Sequence, residues 1–252
     1  MIDLHSHVLP AVDDGSVSVE MSLEMLDIAC RDGTDAIILT PHNAKVAGYD
    51  NPKSKIEPLF RQLREIVRRE RIPIDLFLGC EYLMADADQF RREWQTVCTL
   101  NNTRYLLMEF FFEVPEDEIL RGIDAVLEKG LVPVIAHPER YDCVKLYPPF
   151  AEEMSRRGAL LQMNKGSPLG DYGKHSLQAA MELLDRRLYS FVGSDTHRPT
   201  GRDPRMGRCY DMLCREFGPR YCDLIFRRNP DLLLQDRPIH TESRGGEPYE
   251  EF

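Results

Sequence analysis

The sequence predicts an α/β fold in one domain, with parallel strands closing or nearly closing into a barrel. Three observations predict it. Seven short, β-rich apolar runs recur along the 252 residues. Apolar residues at helical spacing lie between most of them. No stretch of linker-like composition separates the units, and strands that alternate with helices pair in parallel through crossovers. An open doubly wound sheet is the alternative, but the GxGxxG fingerprint of dinucleotide-binding sheets is absent.

In chain order, the first run is residues 2–4. Val19, Leu23, Leu26 and Cys30 then fall on one helical face, and Gly33 is placed to end that helix. The second run is 36–39, and Ile56, Leu59, Leu63, Ile66 and Val67 repeat the helical pattern before Pro73. The third and fourth runs are 74–78 and 105–108. Ile119, Ile123, Val126 and Leu127 predict a helix before Gly130, ahead of the fifth run at 132–136. The sixth is 159–163, and Leu177, Met181 and Leu184 mark the helix before the seventh, 189–192. From about Pro204 the pattern is helical. Residues 241–252 (TESRGGEPYEEF) read as a flexible acidic tail, leaving 1–240 as the domain.

Composition narrows the function. A formal net charge of −10 lacks the basic face that sequence-independent nucleic-acid binding requires, but leaves room for a locally positive cleft and a small anionic substrate. The seven cysteines are scattered without a CxxC pair, which suits reduced thiols in the cytoplasm better than a disulfide framework. The opening MIDLHSHVLP has neither the basic stretch nor the apolar run of a signal peptide. No segment approaches the ~20 apolar residues of a membrane helix, so membrane insertion is not expected.

Five of the seven histidines fall at or just after predicted strands. His5 and His7 end the first run (DLHSH), His42 follows the second (LTPH), His137 the fifth (VIAHPER) and His197 the seventh (VGSDTH). Acids take matching places: Glu81 in LGCE, Glu109 in LLMEF and Asp195 in SDTH. In a parallel barrel the loops at the carboxyl ends of the strands converge on one face, so these residues would meet there. A lone strand-end histidine is more often a structural hydrogen-bonder; this many together predict a metal centre. Imidazoles with carboxylates suit Zn, Mn or Fe, whereas an all-oxygen site would suit Mg or Ca. A cysteine-based phosphatase is the rival, because CxxxxxR occurs from Cys98, Cys209, Cys214 and Cys222. None of the four has the glycine-rich loop that would present N–H groups to a phosphate, and residues 209–215 read as helix.

MIDLHSHVLPAVDDG, the histidine after the second strand, CE, MEF, VIAHPERYD, QMN and SDTH occur in order over residues 1 to about 237. Together they resemble the PHP superfamily of metal-dependent phosphoesterases, and most closely its bacterial tyrosine-protein phosphatases of the CpsB/YwqE type. The resemblance implies a distorted seven-stranded, TIM-like β/α barrel (the PHP fold) and up to three divalent metals, manganese first, with iron, zinc or magnesium as alternatives. It implies that His5, His7, Glu81 and Asp195 hold one metal, that Glu81 bridges to a second shared with Glu109 and His137, and that Asp14, His42 and His197 hold the third. Asp13 is the alternative to Asp14. It further implies that Arg140, in HPER, and Arg202, in TGRDP, grip the phosphate, since a guanidinium fork matches phosphate oxygens. The competing role for Arg140 is a structural pair with Glu139 or Asp142. The implied substrate is the phosphotyrosyl tail of a bacterial tyrosine kinase that controls capsule or exopolysaccharide synthesis. A histidinol phosphate phosphatase or another small-molecule phosphoesterase is the alternative, and a non-catalytic scaffold is disfavoured by the full ligand set.

Overall fold

Every one of the seven apolar runs forms a strand in the computed structural model, which describes residues 1–239. The acidic tail expected over 241–252 lies outside the described residues. Two further short strands appear, giving β1 Ile2–Ser6, β2 Ala36–Leu39, β3 His42–Asn43, β4 Asp75–Leu78, β5 Glu81–Leu83, β6 Tyr105–Glu109, β7 Val132–Ala136, β8 Leu160–Asn164 and β9 Tyr189–Gly193. All pairings between them are parallel.

The strands form two sheets, ordered β1-β2-β4 and β3-β5-β6-β7-β8-β9, where one seven-stranded barrel was expected. The split has a local cause. The same two segments pair on either side of a pause, Leu39 with Leu78 and then His42 with Glu81. Pro41 sits in the pause and has no N–H to give to a ladder. Beside it, a turn at Leu100–Asn102 precedes β6, and the Leu100 side chain packs directly against Gly79, where a Cβ would lie 2.6 Å from it. β5 alone therefore reaches β6. At the other edges the end of β1 runs beside the chain that follows β9. The Asp195 N–H donates to the His5 carbonyl at 2.8 Å and the His7 N–H to the Thr196 carbonyl at 2.9 Å.

Side chains alternate along each strand, and the two faces bury different clusters. Leu4, Ile38, Leu107, Val134, Leu160 and Phe191 come from both sheets and meet in one apolar interior, which Leu233 of the helix Asn229–Leu234 joins. The outer faces pack against helices in the larger cluster. Helix Val19–Arg31 is capped by the Ser18 hydroxyl and buries Met25, Leu26 and Ala29. Val19 and Leu23, expected at its core, are only partly buried, because the helix is rotated toward Met25. Helix Lys53–Glu70 buries Ile56, Phe60, Leu63 and Val67. Helices Glu116–Leu127 and Lys174–Asp185 follow as expected, and the chain after β9 is helical from Gly207 to Leu234, with one break at Gly218. Among the described residues no helix is long and apolar enough to cross a membrane.

Candidate metal centre

The carboxyl ends of the strands converge as parallel topology requires, and the nine expected ligand residues meet there. Glu81, on β5, lies at the centre and is fully buried. Its Oε2 is 3.1 Å from His5 Nε2, 3.3 Å from His7 Nε2 and 3.1 Å from His42 Nδ1. Its Oε1 is 3.1 Å from His137 Nε2. Glu109, at the end of β6, reaches His137 with one oxygen at 3.6 Å and His42 with the other at 3.7 Å. Asp14 Oδ1 lies 3.4 Å from His197 Nε2 and 3.6 Å from His42 Nε2. Asp195 Oδ1 lies 3.4 Å from His7 Nε2 and 3.7 Å from His5 Nε2. Seven of the nine fall into three overlapping groups, His7, Asp14, His42 and His197; His5, His7 and Glu81; and His42, Glu81 and Glu109, while His137 and Asp195 belong to none of the three.

Hydrogen bonds at the far ring nitrogens orient the imidazoles. Gln162 spends its NH₂ group on the Met163 carbonyl and on Asn164 Oδ1, so its Oε1 accepts from His5 Nδ1 at 3.0 Å. Asp13 Oδ2 accepts from His7 Nδ1 at 2.8 Å, and the Asp195 carbonyl accepts from His197 Nδ1 at 3.0 Å. All three rings therefore turn Nε2 toward the cluster, the atom each would offer to a metal. The Nε2 atoms of His5 and His7 face each other at 3.1 Å, close enough for both to reach one cation. Buried Glu81 Oε2, His42 Nδ1 and His197 Nε2 have no hydrogen-bond partner. Orphaned buried polar atoms are costly, and a divalent ion with affinity for nitrogen and oxygen would satisfy all of them. The residues present fit such a group, with Mn, Fe and Zn the ions suited to this donor set.

Electrostatics separates the two central carboxylates. Burial disfavours the charge on Glu81, but the neighbouring His5 and His42 outweigh it and hold Glu81 well below the usual range. Burial pushes Glu109 well above that range, and the negative charges of Glu81 and Asp195 push it further. Burial also lowers His137 to about 4, keeping it a neutral donor.

The adjacent acids of VDDG divide their work. Asp13 faces away from the cluster and accepts from His7 Nδ1, the His42 N–H and the Gly15 N–H, while Asp14 points at His42 and His197. An asparagine has one acceptor oxygen where Asp13 serves three donors with two. Asp13→Asn should therefore fold normally yet bind a divalent transition metal about 10-fold more weakly, as lost orienting partners of metal ligands do. A metal titration of both proteins checks this, and equal affinities would show that His7 needs no such support.

Arg140 and Arg202 meet on Asp195. Arg202 Nη2 is 2.6 Å from Asp195 Oδ1 and Arg140 Nη1 is 3.4 Å from Oδ2. The Arg140 guanidinium lies between the rings of Phe112 and Tyr172, at 4.6 and 4.5 Å from their centroids. Glu139 and Asp142, its structural rivals, are engaged elsewhere. Glu139 accepts from the Asn164 N–H and from the hydroxyls of Ser167 and Tyr189, and Asp142 pairs with Lys145.

Several supporting residues escaped sequence reasoning. Arg198 Nη1 donates to the carbonyls of Asp14, Gly15 and His197, tying two ligand-bearing loops together. Asn164 Nδ2 donates to Asp195 Oδ2 at 2.6 Å. Gly15 and Gly193 allow close packing: a Cβ on Gly15 would lie 2.4 Å from His7 Cβ, and one on Gly193 would lie 2.5 Å from His5 Cβ. His137 and Asp195 adopt the left-handed region with φ of 35° and 51°, a conformation that costs non-glycine residues about 1–3 kcal/mol and clusters at functional sites. The cysteine rival fails on geometry. Cys209 and Cys214 lie within the helix Gly207–Phe217, Cys222 within the helix Pro219–Asp223, and Cys98 is buried; burial also pushes the thiols of Cys98 and Cys222 up to about 12.

Comparison with known proteins shows what the chain as a whole resembles. The family model for capsular polysaccharide synthesis, CpsB/CapC, matches residues 1–235. The chain is 33% identical to the tyrosine-protein phosphatase CpsB of Streptococcus pneumoniae over 95% of its own length and 100% of the relative's. It is 34% identical to the tyrosine-protein phosphatase YwqE of Bacillus subtilis, over 96% of this chain and 94% of that one. A crystal structure from work on YwqE of B. subtilis and CpsB of S. pneumoniae, described as metal-dependent tyrosine phosphatases, superposes with a TM-score of 0.89 at 30% identity, covering all of both chains. A histidinol phosphate phosphatase from Lactococcus lactis shares the fold alone, with a TM-score of 0.55 at 14% identity over 86% of this chain and 93% of that one.

Proposed function

This chain belongs to the CpsB/CapC family of capsular polysaccharide synthesis, and from that premise we propose that it is a metal-dependent tyrosine-protein phosphatase. Its substrate is the phosphotyrosyl tail of a bacterial tyrosine kinase that governs capsule or exopolysaccharide synthesis, met in the cytoplasm. The weight falls on the carboxylate of Glu81, which lies within 3.3 Å of four imidazole nitrogens. His5, His7, Glu81 and Asp195 would hold one divalent metal, Glu81, Glu109 and His137 a second, and Asp14, His42 and His197 a third, with manganese the ion we favour. We read the two sheets as one distorted seven-stranded barrel, in which β3 and β5 continue β2 and β4.

Divalent metals held by these residues would neutralise phosphate charge, align the ester and lower the pKa of water. The protein's own groups do the rest. Arg140 and Arg202 present guanidinium forks to the phosphate oxygens. Their shared hold on Asp195 keeps both aimed at the cluster before substrate arrives. Tyrosine leaves as a phenolate, whose conjugate acid has a pKa near ~10, so a dedicated general acid is not required. His42 and His197 are spent as ligands.

The test is to strip the protein of metal and resupply Mn, Zn, Mg or Fe, with a phosphotyrosyl peptide and histidinol phosphate as competing substrates. Phosphotyrosine should be the better substrate, and only with metal present. Full activity in a clean metal-free preparation would end the metal assignment. Far more efficient turnover of histidinol phosphate would leave the family and fold standing but not the tyrosine phosphatase activity.

A further inference from the structure

A cleft of about 280 Å³ opens directly beside the carboxylate–imidazole cluster, and His42 and Glu109 line both. Beyond those two residues its walls are chiefly apolar: Ala47, Tyr49, Leu83, Phe111 and Phe112. Tyr49 lies nearly parallel to the His42 ring, with an interplanar angle of 14° and 5.7 Å between centroids. Phe112 contributes to this wall while also carrying the Arg140 guanidinium. A group anchored between Arg140 and the metal ligands therefore has the aromatic cleft as its neighbour. Phe111 is 52% exposed and stands outside the core, though a phenyl ring gains by burial. Its place on the cleft wall gives that exposure a purpose.

We infer that this cleft seats the aromatic ring of the leaving group among Tyr49, Phe111 and Phe112. The assignment rests on the phosphotyrosine activity proposed above and adds its specificity determinant: the enzyme selects aryl over alkyl phosphates by ring packing as well as by leaving-group chemistry. A phosphoserine would put its phosphate in the same place and leave the cleft empty. Burying one aromatic face against another contributes enough to change affinity by about ten-fold.

The experiment uses Phe111→Ala and Tyr49→Leu in the metal-loaded protein. Three substrates are compared: a phosphotyrosyl peptide, its phosphoseryl counterpart and phenyl phosphate, which carries the ring without a peptide. Each substitution should raise KM about ten-fold for both aryl substrates, leave kcat and metal content in place, and leave phosphoserine turnover unchanged. Phe111→Tyr should restore the parent KM. Equal losses on aryl and alkyl substrates, or an unmoved aryl KM, would overturn the cleft assignment while the phosphatase activity stands. A loss on the phosphotyrosyl peptide but not on phenyl phosphate would also overturn it, because the cleft would then hold a flanking residue. A parent enzyme that does not favour phosphotyrosine over phosphoserine would instead overturn the tyrosine phosphatase activity, and the cleft assignment with it.

Discussion

Glu81→Ala protein should emerge from a chelator-free preparation with far less metal than His42→Ala protein, and with activity reduced well beyond 100-fold. The expectation follows from position. Both Glu81 oxygens face imidazoles, and the side chain has no exposed surface, whereas His42 sits at the edge with 16% of its side chain exposed. Removing His42 takes one donor from the cluster. Removing Glu81 takes away the carboxylate shared by His5, His7, His42 and His137 and leaves their rings with less negative charge to balance a cation. Loss of a partner that merely orients a ligand costs about 10–100-fold, and loss of a shared ligand would exceed that, because metals bound there would supply both charge neutralisation and an activated water. Glu81→Gln is the control for a packing defect, since it keeps the volume that alanine would leave as a cavity. Elemental analysis and circular dichroism on the same samples decide the matter. Parental metal content in both Glu81 variants would remove this residue from the centre.

Arg140→Ala should cut kcat/KM on phosphotyrosyl peptides by about 10- to 150-fold while leaving the metal content unchanged. The loss corresponds to one charge-assisted hydrogen-bonding group, about 1.5–3 kcal/mol. Arg140 contacts Asp195 at 3.4 Å and is otherwise held by two aromatic faces, so its removal deletes no donor to a cation. Arg140→Lys should recover little of the loss. An ammonium is a point charge without the planar fork, and it stacks less well between Phe112 and Tyr172. Undiminished kcat/KM in Arg140→Ala would return this arginine to a structural role beside Asp195. Loss of metal would make it part of the ligand framework instead.

The architecture was legible because each strand is a short apolar run and each crossover helix repeats at its own period. β3 and β5 were not, because strands of two and three residues carry no periodicity. His42 and Glu81 were accordingly expected just after strands, whereas each opens a short strand of its own. The break into two sheets was hidden as well. It depends on Pro41 in one segment meeting the Gly79–Leu100 contact in another, a coincidence visible only in three dimensions. The site residues could be found individually because histidines and acids at strand ends are chemically conspicuous. Their supports could not. In VDDG the sequence favoured Asp14 as the ligand but gave no sign that Asp13 would orient His7. Phe112 and Tyr172 enclose Arg140 from positions 60 residues apart, each looking like an ordinary aromatic in a loop. Arg198 resembles any other surface arginine until its three carbonyl partners are seen.

The two glycines pressed against His7 and His5 bear on how freely this sequence can vary. Neither Gly15 nor Gly193 donates an atom to the cluster, yet a single methyl group at either would drive into the Cβ of a histidine whose ring must hold its aim. Tolerance to substitution here is governed by the space behind an imidazole as much as by the chemistry in front of it. In a library covering every position, alanine at 15 and 193 should be purged alongside changes to the histidines themselves, whereas glycines facing open space, such as Gly48 and Gly130, are judged by their backbone angles alone. A lineage that loses either contact glycine has no conservative replacement to try, and its shortest road back is reversion.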